Sequence, residues 1–132
     1  MPPRTSGLLE SSLYVQDVAR SKRFYEEILG FPLMVSFEPR GCALECGERR
    51  VLLLFQQGAS RDIVSPHDGT GELHVAFGIE PAELEKWEAW LAQHDIPIEE
   101  KTHWERGGVS IYFRDPDRHL LEFATPGTWP SY

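Results

Sequence analysis

The chain has 132 residues, of which 13 are basic, 21 acidic and 41% hydrophobic, giving a formal charge of −8. A chain of this length buries roughly two-thirds of the surface its unfolded form exposes, so it needs no disulfide or metal staple, and any metal serves function rather than folding. A pI near 5.1 offers no basic footprint for phosphate backbones or anionic lipid, so neither nucleic acid nor a membrane surface is an expected partner.

The longest apolar run, Val51 to Phe55, falls far short of the roughly 20 residues that cross a bilayer. The segment Met1-Pro2-Pro3-Arg4-Thr5-Ser6 lacks the apolar stretch of a secretory signal, so a cytoplasmic protein is expected. Cys42 and Cys46 lie in one extended segment, badly placed for a local disulfide and too few for a structural zinc site. Both read as reduced packing residues.

In chain order, Leu8 to Gln16 reads as a strand, and Asp17 as the N-cap of a helix through Leu29 that Gly30 terminates. Strands at Leu33 to Phe37, Cys42 to Glu45 and Arg50 to Gln56 follow, separated by Pro39-Arg40-Gly41 and Gly47-Glu48 turns. A turn-rich stretch, 58–71, then divides the chain. Beyond it come a strand at Glu72 to Ile79 and a helix opened by Pro81 and ending near Asp95, with Leu84, Trp87 and Leu91 on one stripe. Strands at Pro97 to His103, Val109 to Arg114 and His119 to Ala124 complete it, the last two joined by an Asp115-Pro116-Asp117-Arg118 turn. Each half is therefore βαβββ. The expected fold is α+β, one domain over 1–132, with module one at 8–57, a linker loop at 58–71 and module two at 72–126, forming a partly open barrel or cup.

The halves can be registered. Glu10 stands as far before Asp17 as His74 stands before Pro81, and laying Arg50 to Phe55 over Arg118 to Phe123 matches Leu54 with Glu122. Alternate side chains of a strand share a face. Leu13 and Val15 then face a helix, as do Val75, Phe77, Leu121 and Phe123, while Glu10, His74 and Glu122 fall on the opposite face. Two carboxylates and an imidazole gathered there would be costly to desolvate without a cation, which points to a divalent metal with positions left open for water or substrate. This donor set suits Mn, Fe, Ni, Co or Zn without choosing among them.

Several segments resemble the vicinal oxygen chelate superfamily of glyoxalases, bleomycin-resistance proteins and dioxygenases. They are Leu13-Tyr14-Val15-Gln16-Asp17 with Ser21, Phe24, Tyr25 and Leu29-Gly30-Phe31; Leu73 to Phe77; and Tyr112 to Glu122 with its Asp-Pro-Asp turn. The resemblance implies metal positions at Glu10, where members often carry His or Gln, at His74 and at Glu122. It puts the fourth ligand of glyoxalase I at Leu54, a departure, and Arg118 stands where Gly is commoner. It also implies bidentate chelation of a substrate by the metal, with Lewis-acid stabilisation of an oxyanion or enolate. On that view Glu10 and Glu122 are the catalytic carboxylates of the cup, and Ser12, Tyr14, Trp104 and Tyr112 line it, with His67 either a lid or a solvated loop residue. Glu10 either joins the site or sits at an exposed strand start paired with an Arg. Trp87 and Trp90 read as core and interface, His94 as a helix end, and His119 as outer strand surface.

The implied function is a glyoxalase-like, metal-dependent lyase, isomerase or transferase acting on a small oxygenated molecule, in a homodimer whose subunits can exchange modules and share metal ligands. The opposing reading is a non-catalytic cup that sequesters a drug or small metabolite, as bleomycin-resistance relatives do. An extradiol dioxygenase would want His where Glu10 stands.

Overall fold

Strand β1 (Glu10–Val15) leads into helix α1 (Val18–Glu27) through Asp17, whose backbone is extended and whose side-chain Oδ1 accepts the Arg20 N–H at 3.1 Å. That bond satisfies one of the donors a helix leaves orphaned at its start. Gly30 ends the first helix in the left-handed region at φ +72°, and Phe31 N–H returns to the Tyr25 carbonyl at 3.0 Å. Val18, Ser21 and Tyr25 form the buried stripe. A computed structural model describes residues 1–132. They divide into two compact units, Met1–Thr70 and Gly71–Tyr132.

In the first unit, β2 (Leu33–Ser36), β3 (Gly41–Gly47) and β4 (Arg50–Gln56) complete an open four-stranded sheet in the order β1-β4-β3-β2, with β1 parallel to β4. Leu13, Val15, Cys42, Leu44, Leu52 and Leu54 are all 2% exposed or less and build the core beneath α1. Both cysteines are free, and burial pushes the Cys42 thiol up to about 11, the behaviour of an inert packing residue. The 58–70 stretch folds onto this unit instead of spanning open space. Asp68 accepts from Gly58 N–H and Arg61 Nε at 3.0 and 2.6 Å, and the first Cβ of any residue replacing Gly69 would meet the Tyr14 ring.

The second unit repeats the plan. Strands β5 (His74–Gly78), β6 (Glu100–His103), β7 (Val109–Arg114) and β8 (Leu120–Ala124) form the sheet β5-β8-β7-β6, again with its first strand parallel to its last. Pro81–Glu83 makes a 3-10 turn before helix α2 (Leu84–Gln93), because a proline start favours the tighter first turn. The expected continuous helix is thus two pieces. Trp87 stacks on Phe123 at 4.4 Å between centroids, and Leu91, Ile111, Phe113 and Leu121 are fully buried. The fold is α+β, two βαβββ modules with one open sheet each. No helix is long and apolar enough to cross a membrane.

Pairing corrects one expectation about register. Glu10 lies opposite Val51 and Ser12 opposite Leu53, while His74 lies opposite Leu120 and Ala76 opposite Glu122. The counterpart of Glu122 is therefore Leu53, not Leu54. Matching the strands by their printed letters slips them by one residue, and a slip of one exchanges the two faces of a strand. Leu54 points into the core with no exposure. His119, expected on an outer surface, is 1% exposed.

Candidate metal centre

On the sheet face of the second unit turned away from α2, β5 contributes His74, Ala76 and Gly78, β8 contributes Leu120, Glu122 and Ala124, and β7 contributes Ser110, Tyr112 and Arg114. Because Ala76 has almost no side chain, Glu122 can reach diagonally toward His74. The result is His74 Nε2 at 3.2 Å from Glu122 Oε1. The carboxylate is 6% exposed, whereas the imidazole is half open to solvent.

Both side chains are fixed from behind. His74 Nδ1 lies 2.8 Å from the Leu120 carbonyl, and a carbonyl only accepts, so Nδ1 carries the hydrogen. The lone pair of Nε2 then faces a carboxylate oxygen, two acceptors across a short gap that only a cation, a proton or a metal ion, reconciles. The other carboxylate oxygen, Oε2, accepts from the Ser110 hydroxyl at 2.6 Å, and Ser110 Oγ accepts from Trp104 Nε1 at 2.8 Å. Tyr112 lies opposite Glu122, its ring 6.4 Å from that of His74. Burial, and then the Glu122 carboxylate, hold its phenol above the ordinary 10.0, so it stays a donor at neutral pH. A shallow hollow of about 280 Å³ adjoins this face, lined by Glu99, Glu100, Thr102, Tyr112 and Leu120.

The separation fits an ion between the pair. Two donors each about 2.1 Å from one ion stand roughly 3.0 Å apart at a right angle and roughly 3.4 Å apart at the tetrahedral angle. The observed 3.2 Å lies between them. The Nδ1–H to carbonyl bond is the outer support that fixes a ligating imidazole's tautomer. One imidazole and one carboxylate are a borderline-to-hard set open to several divalent metals.

The residues expected from sequence fall into two groups. His74, Glu122, Tyr112 and Trp104 are joined in the second unit, Trp104 through its indole N–H rather than as free pocket wall. Glu10, Ser12, Tyr14 and His67 belong to the first unit. There Glu10 is the exposed first residue of β1, and Tyr14 Oη is hydrogen-bonded to His67 Nδ1 at 2.7 Å. His67 also packs edge-on against Phe55 at 4.6 Å, so the loop histidine is a docked residue. No group of three or more His, Cys, Asp or Glu side chains able to hold one ion is present within the chain. Sequence reasoning missed Ser110. Its place in β7, two residues from Tyr112 and on the same face, was the signal that could have found it.

The family model described as Glyoxalase/Bleomycin resistance protein/Dioxygenase superfamily matches residues 7–123. The chain belongs to this superfamily. Among curated relatives, the metallothiol transferase FosB of Staphylococcus saprophyticus is 32% identical over 112 residues, covering 84% of this chain and 71% of that protein. The glutathione transferase FosA of Serratia marcescens is 32% identical over 111 residues, covering 84% of this chain and 74% of that one. Among solved structures, the lactoylglutathione lyase of Agrobacterium tumefaciens superposes with a TM-score of 0.89 at 27% identity, covering 98% of this chain and 99% of that one. The superfamily thus embraces relatives named for thiol transfer and for lyase chemistry.

Proposed function

We propose that the chain is a metal-dependent, glyoxalase-like enzyme that holds a divalent ion at His74, Glu122 and Glu10 and acts on a small oxygenated molecule. The observation that carries this reading is the His74–Glu122 pair, 3.2 Å apart, with each partner fixed from behind by its own hydrogen bond. Thiol transfer is the first reaction class to test, in keeping with the names of the transferase relatives. Lyase and isomerase chemistry follow, and an extradiol dioxygenase comes last; transferases of this kind and dioxygenases alike usually carry His where Glu10 stands, so the order follows the relatives' names and not that ligand. The third ligand, Glu10, comes from module one of the same chain or of a second copy in a cytoplasmic homodimer.

When bound, the ion supplies Lewis acidity toward substrate oxygens. The chain's own residues do the rest. Leu120 holds the imidazole in one tautomer, and Ser110, Trp104 and the Tyr112 phenol hold the carboxylate, Tyr112 being the donor nearest to turn toward a substrate oxygen. The Glu122 carboxylate is the base available on this face, and Glu10, Ser12, Tyr14 and His67 would supply a second carboxylate and substrate contacts from module one.

The test is elemental analysis of protein purified without a metal-chelating tag, beside the triple variant Glu10→Gln, His74→Ala, Glu122→Gln. Stoichiometric metal in the native protein and its loss in the variant is the expected result. No metal in either, after reloading with Mn, Ni, Zn or Fe(II), would overturn it in favour of a metal-free cup that sequesters a ligand.

A further inference from the structure

His119 takes no part in the site as described, yet it is a titratable side chain only 1% exposed, three residues before Glu122. It sits at the end of a closed turn. Asp115 Oδ1 accepts the N–H groups of Asp117 and His119 at 2.9 and 2.8 Å, Asp115 N–H donates to the His119 carbonyl at 3.1 Å, and Arg118 N–H donates to the Asp115 carbonyl at 2.9 Å. Arg118 is left-handed at φ +66°, which explains why Gly suits that position better. The turn therefore fixes where the ring of His119 points.

It points at the residue that precedes His74. His119 Nδ1 accepts the Leu73 N–H at 2.9 Å, and Leu120 N–H donates to the Leu73 carbonyl at 2.8 Å. Leu73 lies just outside β5, where the backbone ladder no longer supplies an acceptor for its N–H. The imidazole replaces that missing rung. Both peptide groups of Leu73 are thus gripped by two consecutive residues, 119 and 120, and the next carbonyl along, that of Leu120, is the one that orients the His74 ring.

We infer that His119 is a positioning residue for the metal centre, whose Nδ1 anchors Leu73 and so sets the place of His74 opposite Glu122 and its Nδ1–H bond to the Leu120 carbonyl. Accepting a backbone N–H requires Nδ1 to be unprotonated, so the ring carries its hydrogen on Nε2. The inference rests on the reading of His74 as a ligand, but its structural content, a fixed His74 Nδ1–H bond to the Leu120 carbonyl, is measurable without any ion.

Two variants separate the role from bulk stability. His119→Leu keeps the apolar volume and removes the acceptor, whereas His119→Asn keeps an oxygen acceptor close to the position of Nδ1. In metal-free protein, long-range proton–nitrogen spectra are expected to show a fixed, hydrogen-bonded Nδ1–H on His74 in the native chain and in His119→Asn, and an Nδ1–H signal broadened by exchange in His119→Leu. With Zn added, the dissociation constant is expected to rise about 10- to 100-fold in His119→Leu, the usual cost of losing an outer-shell partner, and to return most of the way in His119→Asn. Leu54→Ala, a core change in the other unit, serves as the control for a lowered melting temperature. It should leave the His74 spectrum unchanged. If His119→Leu does not fold, His119→Gln takes its place, with the acceptor displaced by one methylene.

An unchanged His74 spectrum in the acceptor-less variant, or a perturbation that His119→Asn fails to reverse, would overturn the inference, as would an equal perturbation in the Leu54→Ala control. If native protein takes up no Zn, the metal reading fails, and the metal-free spectra still decide the role of His119.

Discussion

The two units are the same βαβββ frame carrying different faces. Each begins with a strand paired in parallel to its last strand, and the pairs Glu10–Val51 and His74–Leu120, then Ser12–Leu53 and Ala76–Glu122, occupy corresponding places. In the second unit this arrangement brings an imidazole to a buried carboxylate. In the first, the same places hold an exposed carboxylate and a half-buried leucine, and the far end of the face is covered by the 58–70 loop through His67 on Tyr14 and Phe55. The difference teaches that the helix-facing side of each sheet maintains the fold, while the opposite side is free to carry chemistry or to be closed over.

The register is the sharpest place to break this comparison. Leu53→Glu puts a carboxylate at the true counterpart of Glu122, on a partly solvated face, and should cost about 1 kcal/mol or less. Leu54→Glu drives the same group into a core position with no exposure and should cost about 4 kcal/mol or more, enough to unfold much of the protein. Urea denaturation of the two variants measures the contrast. Equal costs would mean that Leu53 and Leu54 do not lie on opposite faces.

How much of this was legible in the sequence follows from the same residues. Strand period and capping signals found the elements: Asp17 is the N-cap and Gly30 the stop, and β4 and β7 carry the expected bounds of Arg50–Gln56 and Val109–Arg114. The alternation also put His74 and Glu122 on one face, because that inference needs only parity within each strand. It could not give the offset between strands, which depends on hydrogen-bond pairing, so the counterpart of Glu122 was placed one residue late. His119 was misplaced for a related reason. It precedes β8 in a turn, where the period of two no longer applies, and its burial depends on a bond to Leu73, 46 residues away in sequence. Ser110 lay on a visible face but carried no charge to mark it.

A smaller effect sharpens the contrast within the second unit. Ser110→Ala removes the donor to Glu122 Oε2 and leaves Trp104 Nε1 without its acceptor. A hydrogen bond from a buried hydroxyl to a carboxylate contributes about 1.5–3 kcal/mol, so a stability loss of that order is expected. Zn affinity should fall by about 10-fold, because the carboxylate loses the support that aims Oε1 at His74. Isothermal titration beside thermal melting separates the two effects. A stability loss with unchanged affinity would reduce Ser110 to core packing and leave the carboxylate oriented by His74 and Tyr112.

The smallest expected effect belongs to the loop that closes the face of the first unit. Gly58 N–H first, and Arg61 next, hold the Asp68 carboxyl below its ordinary 3.8. A carboxylate whose folded value is depressed contributes its stability above the ordinary value and loses it as pH falls through the lowered one. The loop should therefore stay latched from neutrality down to about pH 4 and loosen only below that. The Gly58 amide resonance, followed by acid titration, reports the change directly, and Asp68→Asn should flatten it while leaving the His74–Glu122 pair untouched. Movement of His74 resonances in that variant would show that the two faces are coupled. Their absence would support the view that closing one face and furnishing the other are independent uses of a single repeated frame.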